Sequence, residues 1–403
     1  MARIDPLPPG PEIPPAVQAH RRQAPVEYLP TDPIAVDPEV EDAPALCLSG
    51  GGYRAMLFHL GSIWRLYELD YLRPLRRISS VSGGSITAGL LALKWYSLMA
   101  THPGDRPVFE RELVHPLRKL ASRWIDVPAF LLGVWWPGTS ARIVAGHYRT
   151  VFKNHTLGDL PDEPRFVFNT TNTQSGVLCR FSKPYMADWR VGEVAAAAGA
   201  TRLPLATVVA ASSAFPPFIS PLILRWRVSQ FTPGSGYDLR GPEYRRCMIL
   251  TDGGVYDNLG LETVWKRYGT VLCSDASGTN PGLPNPGVSF LSQAIRAAGL
   301  TYAQAVARRK AQLLDSYRLN RRGAYWGTAS DAGRYHCSQP LPCPIEATAK
   351  LAAVPTRLCP FPPVLQERLI NWGYAICDLA MRSWLLPNAP EPTAFPYPDS
   401  GVG

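Results

Sequence analysis

Short apolar runs alternate with longer helical patterns, most clearly in the first quarter of the chain. Residues 45–48 (Ala-Leu-Cys-Leu) have the length of a buried strand, which stops at Ser-Gly-Gly-Gly, residues 49–52. An apolar-rich helical pattern follows over about 53–71. Residues 77–81 predict a second strand, which ends in the turn 82–84 (Ser-Gly-Gly) before another helix. This order is typical of a parallel α/β sheet with its chemistry at the carboxyl ends of the strands.

Similar patterns continue downstream. The segment 127–138 is unusually apolar for a loop and includes adjacent Trp135 and Trp136. It suits either a lid that enters a membrane interface or a core segment beneath the sheet. The helical stretch 289–320 is the most basic one, which fits either a membrane-facing surface or an ordinary solvated helix face. Strands are also predicted at 165–172, 246–250 and 270–275, and helices at 107–125 (broken near Pro116), 202–214, 261–268 and 362–386.

Length and composition favour one large domain. The chain has 403 residues, of which 46% are hydrophobic and 18% are charged, as in an ordinary globular protein. Because the patterned strands span more than 200 residues, we expect a single three-layer α/β/α domain over 41–386, with a mostly parallel central sheet. Proline clusters at both ends predict an extended or disordered arm over 1–40 and a proline-rich tail over 387–403.

Charge and cysteine usage narrow the partners and the compartment. The formal charge of +9 indicates an anionic partner, unless it only aids solubility. No nucleic-acid-binding motif is present, so a membrane surface is favoured over nucleic acid. Eight cysteines without a C-x-x-C pair argue against zinc and against a disulfide framework. With no secretory signal and no apolar run of roughly 18 residues, we expect a cytoplasmic protein that is peripheral at a membrane.

Ser82 lies at the end of a predicted strand, in the kind of sharp turn that presents a nucleophile. Such an elbow needs small neighbours, because the strand and the helix approach closely. The usual pattern is G-x-S-x-G, whereas Ser80 stands here at the first glycine. Serine is small enough to preserve the turn. The plainer alternative is that Ser82 only caps the following helix.

Two glycine-rich stretches could supply what a nucleophilic serine requires. The amides of residues 50–52 lead into a helix and suit the oxyanion of an acyl-transfer intermediate. A phosphate cradle is the competing interpretation, but neither nucleotide-binding glycine pattern is present. Asp252 ends a strand and precedes two glycines, where it could act as a general base, although Asp-Gly turns are common. Asp257 and Asp275 are rival carboxylates, but neither precedes two glycines.

Three motifs together resemble the patatin-like phospholipase superfamily. They are Ser-Gly-Gly-Gly-Tyr-Arg-Ala-Met at 49–56, Ser-Val-Ser-Gly-Gly-Ser at 80–85 and Asp-Gly-Gly at 252–254. The first and the last also resemble the cytosolic phospholipase A branch. The resemblance implies a patatin-like fold, a phospholipid or other acyl-lipid substrate, a Ser–Asp dyad without histidine, and no metal or organic cofactor.

Carried over residue by residue, the resemblance makes Ser82 the nucleophile and Asp252 the base. Arg54 matches the basic position that lies near the substrate phosphate in the cytosolic branch. The implied oxyanion donors are the amides of Gly50, Gly51 and Gly52.

Three other functions stay open at this point: one enzymatic rival and two without a reactive serine. A Ser-His-Asp esterase would have to use His336, the only histidine after Asp252. A catalytically decayed module that only contacts a membrane surface, or a basic nucleic-acid-binding protein with an incidental fold, would need no reactive serine. Retention of the serine, the aspartate and the glycines favours the lipid acyl hydrolase.

Overall fold

The computed structural model describes residues 40–125, 139–217, 219–278 and 282–403. The predicted arm, apart from Val40, and the apolar segment 127–138 lie outside these ranges. The strands are β1 (Glu41–Leu48), β2 (Arg77–Val81), β3 (Arg165–Asn172), β4 (Val177–Ser182), β5 (Tyr185–Asp188), β6 (Gly192–Ala195), β7 (Leu222–Arg225), β8 (Cys247–Asp252), β9 (Tyr268–Asp275) and β10 (Arg322–Gly327). The α-helices are α1 (Gly52–Glu68), α2 (Gly83–Met99), α3 (Arg106–Phe109), α4 (His115–Ala121), α5 (Thr139–Phe152), α6 (Leu205–Ser212), α7 (Pro242–Arg245), α8 (Gly254–Asp257), α9 (Phe290–Arg318), α10 (Ile345–Ala352) and α11 (Pro363–Trp384).

The strands form one sheet in the order β10-β9-β1-β2-β3-β4-β5-β6. The five strands from β10 to β3 are parallel, which confirms the predicted α/β class with a parallel centre. Strands β4, β5 and β6 extend the sheet as an antiparallel meander that the sequence patterns do not predict. The helices between the parallel strands are the crossover connections that parallel pairing requires.

Helices cover both faces of this sheet, because the central strands are apolar on both sides. In β1, Leu46 and Leu48 point into the larger core, which includes residues of α1, α2 and α11. Ala45 and Cys47 point to the opposite face, where a smaller core includes Leu313 of α9. The alternation of neighbouring residues between two cores is what a strand buried on both faces produces.

The edge of β3 is shared by two strands that meet end to end. β2 follows it only as far as Val81, which pairs with Asn169. From Thr170 onwards the same edge is taken by β8, which runs antiparallel and pairs Asp252 with Thr170. The carboxyl ends of β2 and β8 therefore face each other, and Ser82, the first residue after β2, lies beside the last residue of β8.

The predicted helix at 261–268 is wrong. Residues 262–267 form turns, with two helix-type contacts in which the Trp265 amide donates to the Leu261 carbonyl at 2.8 Å and the Tyr268 amide donates to the Val264 carbonyl at 3.3 Å. Side chains compete with the helix there, since Asp257 accepts from the Glu262 amide at 2.7 Å and the Thr263 hydroxyl contacts Ser79 at 2.9 Å. Near Pro116 the predicted break is a π-helical turn (Glu110–Val114) between α3 and α4.

The proline-rich tail packs against the domain. The Asn371 amide donates to the carbonyl oxygens of Tyr397 and Gly401, both at 2.7 Å, and Phe395 is buried. Within the described ranges, no helix is both long enough and apolar enough to cross a bilayer.

Candidate active site

Ser82 occupies a strained elbow between β2 and α2. Its backbone has φ 51° and ψ −121°, a conformation that costs a non-glycine residue free energy and that persists only where the surroundings impose it. The Ser82 amide donates to Ser212 Oγ at 3.0 Å, which fixes the turn from α6. A Cβ on Gly84 would lie 2.5 Å from the Leu48 carbonyl oxygen, so no larger residue fits there. Ser82 is therefore more than a helix cap, because its side chain caps nothing on α2.

The serine at position 80 is accommodated by a buried network of hydroxyls. Ser80 Oγ donates to the Val167 carbonyl at 3.2 Å and accepts from Ser85 Oγ at 3.0 Å. Ser85 Oγ in turn lies 2.9 Å from Ser212 Oγ, which donates to the Asn169 carbonyl at 2.7 Å. Because every hydroxyl finds a partner, the departure from the usual glycine leaves the elbow intact.

Asp252 is held beneath the elbow by the backbone that follows it. Its Oδ1 accepts from the Gly254 amide at 2.7 Å, and its carbonyl accepts from the Thr171 hydroxyl at 2.8 Å. Burial raises the pKa of its carboxyl to about 7, although hydrogen bonding from Ser82 and from the Gly254 amide opposes that rise. Asp252 Oδ2 forms no hydrogen bond of ordinary geometry with a described residue, so the contact between Ser82 and Asp252 is not a well-formed hydrogen bond in this structure.

The rival carboxylates have other partners. Asp257 Oδ1 lies 3.7 Å from Arg309. Asp275 accepts from the Tyr325 hydroxyl at 2.7 Å and from the Ser277 amide at 2.8 Å. Hydrogen bonding from Ser82 influences the pKa of Asp252, whereas Asp257 and Asp275 are held by these other partners.

The histidines do not complete a triad in the described part of the chain. His59 is fully buried, with its ring nitrogens 2.8 Å from Ser274 Oγ and 2.9 Å from the Ser49 carbonyl oxygen. Burial lowers its pKa to about 4, so it is a neutral packing residue. His336 is exposed, and no described histidine side chain forms a hydrogen bond with Ser82 or Asp252.

The glycine loop lies directly against the elbow. A Cβ on Gly50 would come within 3.1 Å of Ser82 Cβ and 2.4 Å of Asn258 Oδ1. The Gly50 amide donates to the Asn258 carbonyl at 3.1 Å. By contrast, the amides of Gly51 and Gly52 have no hydrogen-bond partner among the described residues. Two open amides at a helix amino terminus, beside a buried serine, can stabilise an oxyanion.

Arg54 points away from solvent into a cluster of backbone carbonyls. Its guanidinium donates to Ala276 at 2.8 Å, to Ala352 at 3.3 Å and to Val354, and to the Thr356 hydroxyl at 2.9 Å. Burial lowers its pKa to about 10. In this conformation Arg54 ties the segment 352–356 to the glycine loop, and contact with a substrate phosphate stays a prediction.

The sequence analysis does not identify two residues at the site. Ser212, at the end of α6, fixes the elbow, and only the surrounding sequence Ala-Ser-Ser-Ala-Phe-Pro could have indicated it. Asn258 joins the loop after Asp252 to the glycine loop, since its carbonyl accepts from the Gly50 amide. Its side-chain amide donates to Ser277 Oγ, on the loop after β9, at 2.8 Å. In the ranges that the structure describes, no three His, Cys, Asp or Glu side chains cluster as a metal site requires.

The sequence of this chain matches one known family. A family model described as patatin-like phospholipase matches residues 46–265. No curated protein is similar enough in sequence to count as a match.

Solved structures with a similar fold share little sequence with this chain. Human GIVD cytosolic phospholipase A2 is 14% identical with a TM-score of 0.37, over 72% of this chain and 52% of that one. Its complex with methyl gamma-linolenyl fluorophosphonate is 14% identical with a TM-score of 0.45, over 83% and 57%. VipD from Legionella pneumophila is 15% identical with a TM-score of 0.32, over 84% and 66%. The chain thus spans less than two thirds of the length of each.

Proposed function

This chain belongs to the patatin-like phospholipase family, and on that premise we propose that it is a lipid acyl hydrolase of the phospholipase A type. The substrate would be a glycerophospholipid or a related acyl ester. The observation that carries this proposal is the pairing of a strained, buried serine with a buried carboxyl whose pKa is raised to about 7. A base with a pKa near the working pH combines a large deprotonated fraction with useful basicity.

The first half-reaction would begin with proton transfer from Ser82 Oγ to Asp252. The oxygen attacks the ester carbonyl carbon, and the carbonyl π electrons move to the oxygen to form a tetrahedral oxyanion. The open amides of Gly51 and Gly52 would donate to that oxygen, while Gly50 lets the loop approach the serine. Collapse of the intermediate breaks the carbon–oxygen bond, and Asp252 returns its proton to the departing alcohol of the lysolipid.

The second half-reaction would repeat these steps with water. Asp252, again ionised, takes a proton as water attacks the acyl-Ser82 carbonyl. The second tetrahedral intermediate expels Ser82 Oγ, which recovers the proton from Asp252, and a free fatty acid is released. One carboxyl serves as base and acid in each half, so no histidine is needed between the two residues.

The experiment that tests the proposal is fatty-acid release from mixed phospholipid vesicles and from a soluble short-chain ester. Wild type should release acid, whereas Ser82→Ala and Asp252→Asn should not. Ser122→Ala and Asp399→Asn, at exposed positions, are matched controls that should behave as wild type. If the dyad variants match wild type, the dyad is wrong. If wild type hydrolyses neither substrate, the protein is the decayed interaction module.

A further inference from the structure

Helix α9 is longer than its place in the fold requires. It connects the end of β9 to the start of β10, two parallel neighbours, so it has to run from the carboxyl ends of the strands back to the amino ends. Its 29 residues span about 43 Å. β9 has eight residues and spans only about 26 Å. The excess of helix projects beyond the sheet at one end.

The projecting end lies at the edge that carries the dyad. The carboxyl-terminal half of α9 is anchored, because Leu313 is in the core and Arg309 pairs with Glu262 at 2.6 Å and contacts Asp257 at 3.7 Å. The middle of the helix lies beside the site, because Asp257, which Arg309 contacts, ends the short helix α8 that follows Asp252. The raised pKa of Tyr302, caused by burial and by the negative charges of Asp252 and Asp275, agrees with this position. Residues 290–301 add about 18 Å of helix beyond Tyr302.

This projecting segment is apolar and exposed. The exposed fractions are 91% for Phe290, 67% for Leu291, 58% for Ile295 and 48% for Leu300. Val288, just before the helix, is 94% exposed. Large apolar side chains clustered on a surface, rather than scattered singly, mark an interaction site. Leu291 and Ile295 continue the inward face of the anchored half along the helix, and both side chains are exposed.

The charge around this face indicates what covers it. The projecting segment 290–300 carries one cation, Arg296, and no acidic residue, while the other basic residues of α9 (Arg308, Arg309, Lys310 and Arg318) lie on its anchored half. An exposed apolar helix end that carries a cation and no acidic residue suits the headgroup region of an anionic membrane. A protein partner would need acidic groups opposite the same residues, whereas a bilayer offers both the apolar layer and the charge.

We propose that the amino-terminal end of α9, residues 290–300, is the surface with which this protein docks on anionic lipid. This docking surface extends the proposed function, and the choice of lipid as the partner rests on that function. Phe290, Leu291 and Ile295 enter the interface, and Arg296, the one charged residue of this segment, lies at the headgroups. Because the same end overhangs Ser82 and Asp252, docking places the dyad at the source of its substrate. Ser82 is only 8% exposed, so a lipid has to be delivered to it from the bilayer.

The test is vesicle binding in a Ser82→Ala background, in which hydrolysis does not disturb the membranes. Vesicles of phosphatidylcholine alone are compared with vesicles of phosphatidylcholine and phosphatidylglycerol in equal parts. Phe290→Ser, Leu291→Ser and Ile295→Ser together should weaken binding to the anionic vesicles by at least about tenfold. Added salt should weaken the binding of the parent protein. Ile345→Ser with Val364→Ser, each 48% exposed on α10 and α11, is the matched control and should bind as the parent does.

Three other outcomes of this experiment would argue against the docking surface. Equal binding of the α9 variant and the control, or equal binding of the parent to both kinds of vesicle, would overturn it. If the α9 variant changes only the sedimentation coefficient of the free protein, the face is covered by a second copy. Thermal unfolding of all variants excludes misfolding as a cause. Since binding is measured without Ser82, the result stands even if the hydrolase proposal fails.

Discussion

The turn after β1 and the turn after β2 are equivalent connections that do opposite things. Both lead from a central parallel strand into a buried helix, and they touch, since a Cβ on Gly83 would lie 2.1 Å from the Gly52 carbonyl oxygen. After β2, the strained position is a serine, its amide is satisfied by Ser212, and its side chain faces Asp252. After β1, the strained positions are Gly51 and Gly52, with φ 151° and 58°, and no described residue accepts from their amides.

One turn is thus built to present a side chain and the other to present a backbone. A side chain on the glycine turn after β1 would block the close approach of the two turns. On the serine turn after β2, an open amide would be a second donor beside the serine hydroxyl, but that amide donates to Ser212 instead. The division explains why three glycines and one strained serine are needed at neighbouring strand ends, and it can be tested one feature at a time.

The largest effect is expected from Asp252→Asn, which removes the partner of the presented side chain. An amide cannot accept the Ser82 proton, so kcat should fall by roughly 10³- to 10⁴-fold. In wild type, kcat/KM should rise with pH through about 7, because the base works only when ionised. A steady-state pH profile that is flat between pH 5 and pH 9 would break the assignment.

The same substitution should stabilise the protein at neutral and alkaline pH but not in acid. The folded pKa of Asp252 is raised above its unfolded value, so its contribution to stability is present in acid and is lost as the pH rises through about 7. Asp252→Asn should therefore raise the free energy of unfolding by about 1–3 kcal/mol near pH 8 and change it little near pH 4. Urea denaturation at the two pH values measures this difference.

The second effect is expected from Gly51→Ala on the turn that presents amides. Its φ of 151° disfavours any other residue, and the new Cβ would lie 2.4 Å from the Ala276 carbonyl oxygen. Displacing one oxyanion donor should lower kcat by roughly 10²- to 10³-fold. Gly146→Ala on α5 is the control, because no described atom outside the surrounding helical turn lies within 4 Å of the new Cβ. Similar kinetics for the two folded variants would remove the loop from the mechanism.

A smaller effect is expected from Ser212→Ala, which frees the Ser82 amide. The strained turn would persist with one anchor fewer, so kcat should fall by roughly 10- to 30-fold with KM unchanged. The neighbouring Ser213→Ala serves as a control, because that hydroxyl donates to the Val209 carbonyl of its own helix. A change in KM alone would mean that Ser212 lines the acyl pocket instead.

The smallest effect is expected from Ser80→Gly, which restores the usual elbow pattern. Ser80 supplies one member of a hydroxyl network and no group to the reaction, so the rate of ester hydrolysis should stay within about threefold of wild type. Loss of the buried hydrogen bonds should cost about 1 kcal/mol of unfolding free energy. A large loss of activity would show that Ser80 shapes the turn more than its contacts indicate.

The features that are predictable from sequence here are the local ones. The lengths of the apolar runs and the glycines beside Ser82 and Asp252 are enough to predict the parallel centre and the candidate dyad. The pairing of β8 with β3, which brings Asp252 to Ser82, depends on contacts about 80 residues apart. The antiparallel meander was missed because its strands are short and buried on both faces, without a regular alternation.

Long-range hydrogen bonds account for the rest. Arg54 follows the glycines as expected, but its partners come from residues 276 and 352–356, which no local pattern reveals. Ser212 acts on an amide 130 positions earlier in the chain. The helix predicted at 261–268 fails for the same reason, since side-chain contacts to β2 outweigh its apolar periodicity.

The most direct test of the account is reaction with a long-chain fluorophosphonate, followed by peptide mass spectrometry. Ser82 Oγ displaces fluoride from phosphorus while its proton passes to Asp252, and the adduct is stable. The account predicts one adduct, on Ser82, that forms faster as the pH rises through about 7 and that is absent in Asp252→Asn. An adduct on another residue, or one that forms equally fast without Asp252, would contradict the dyad.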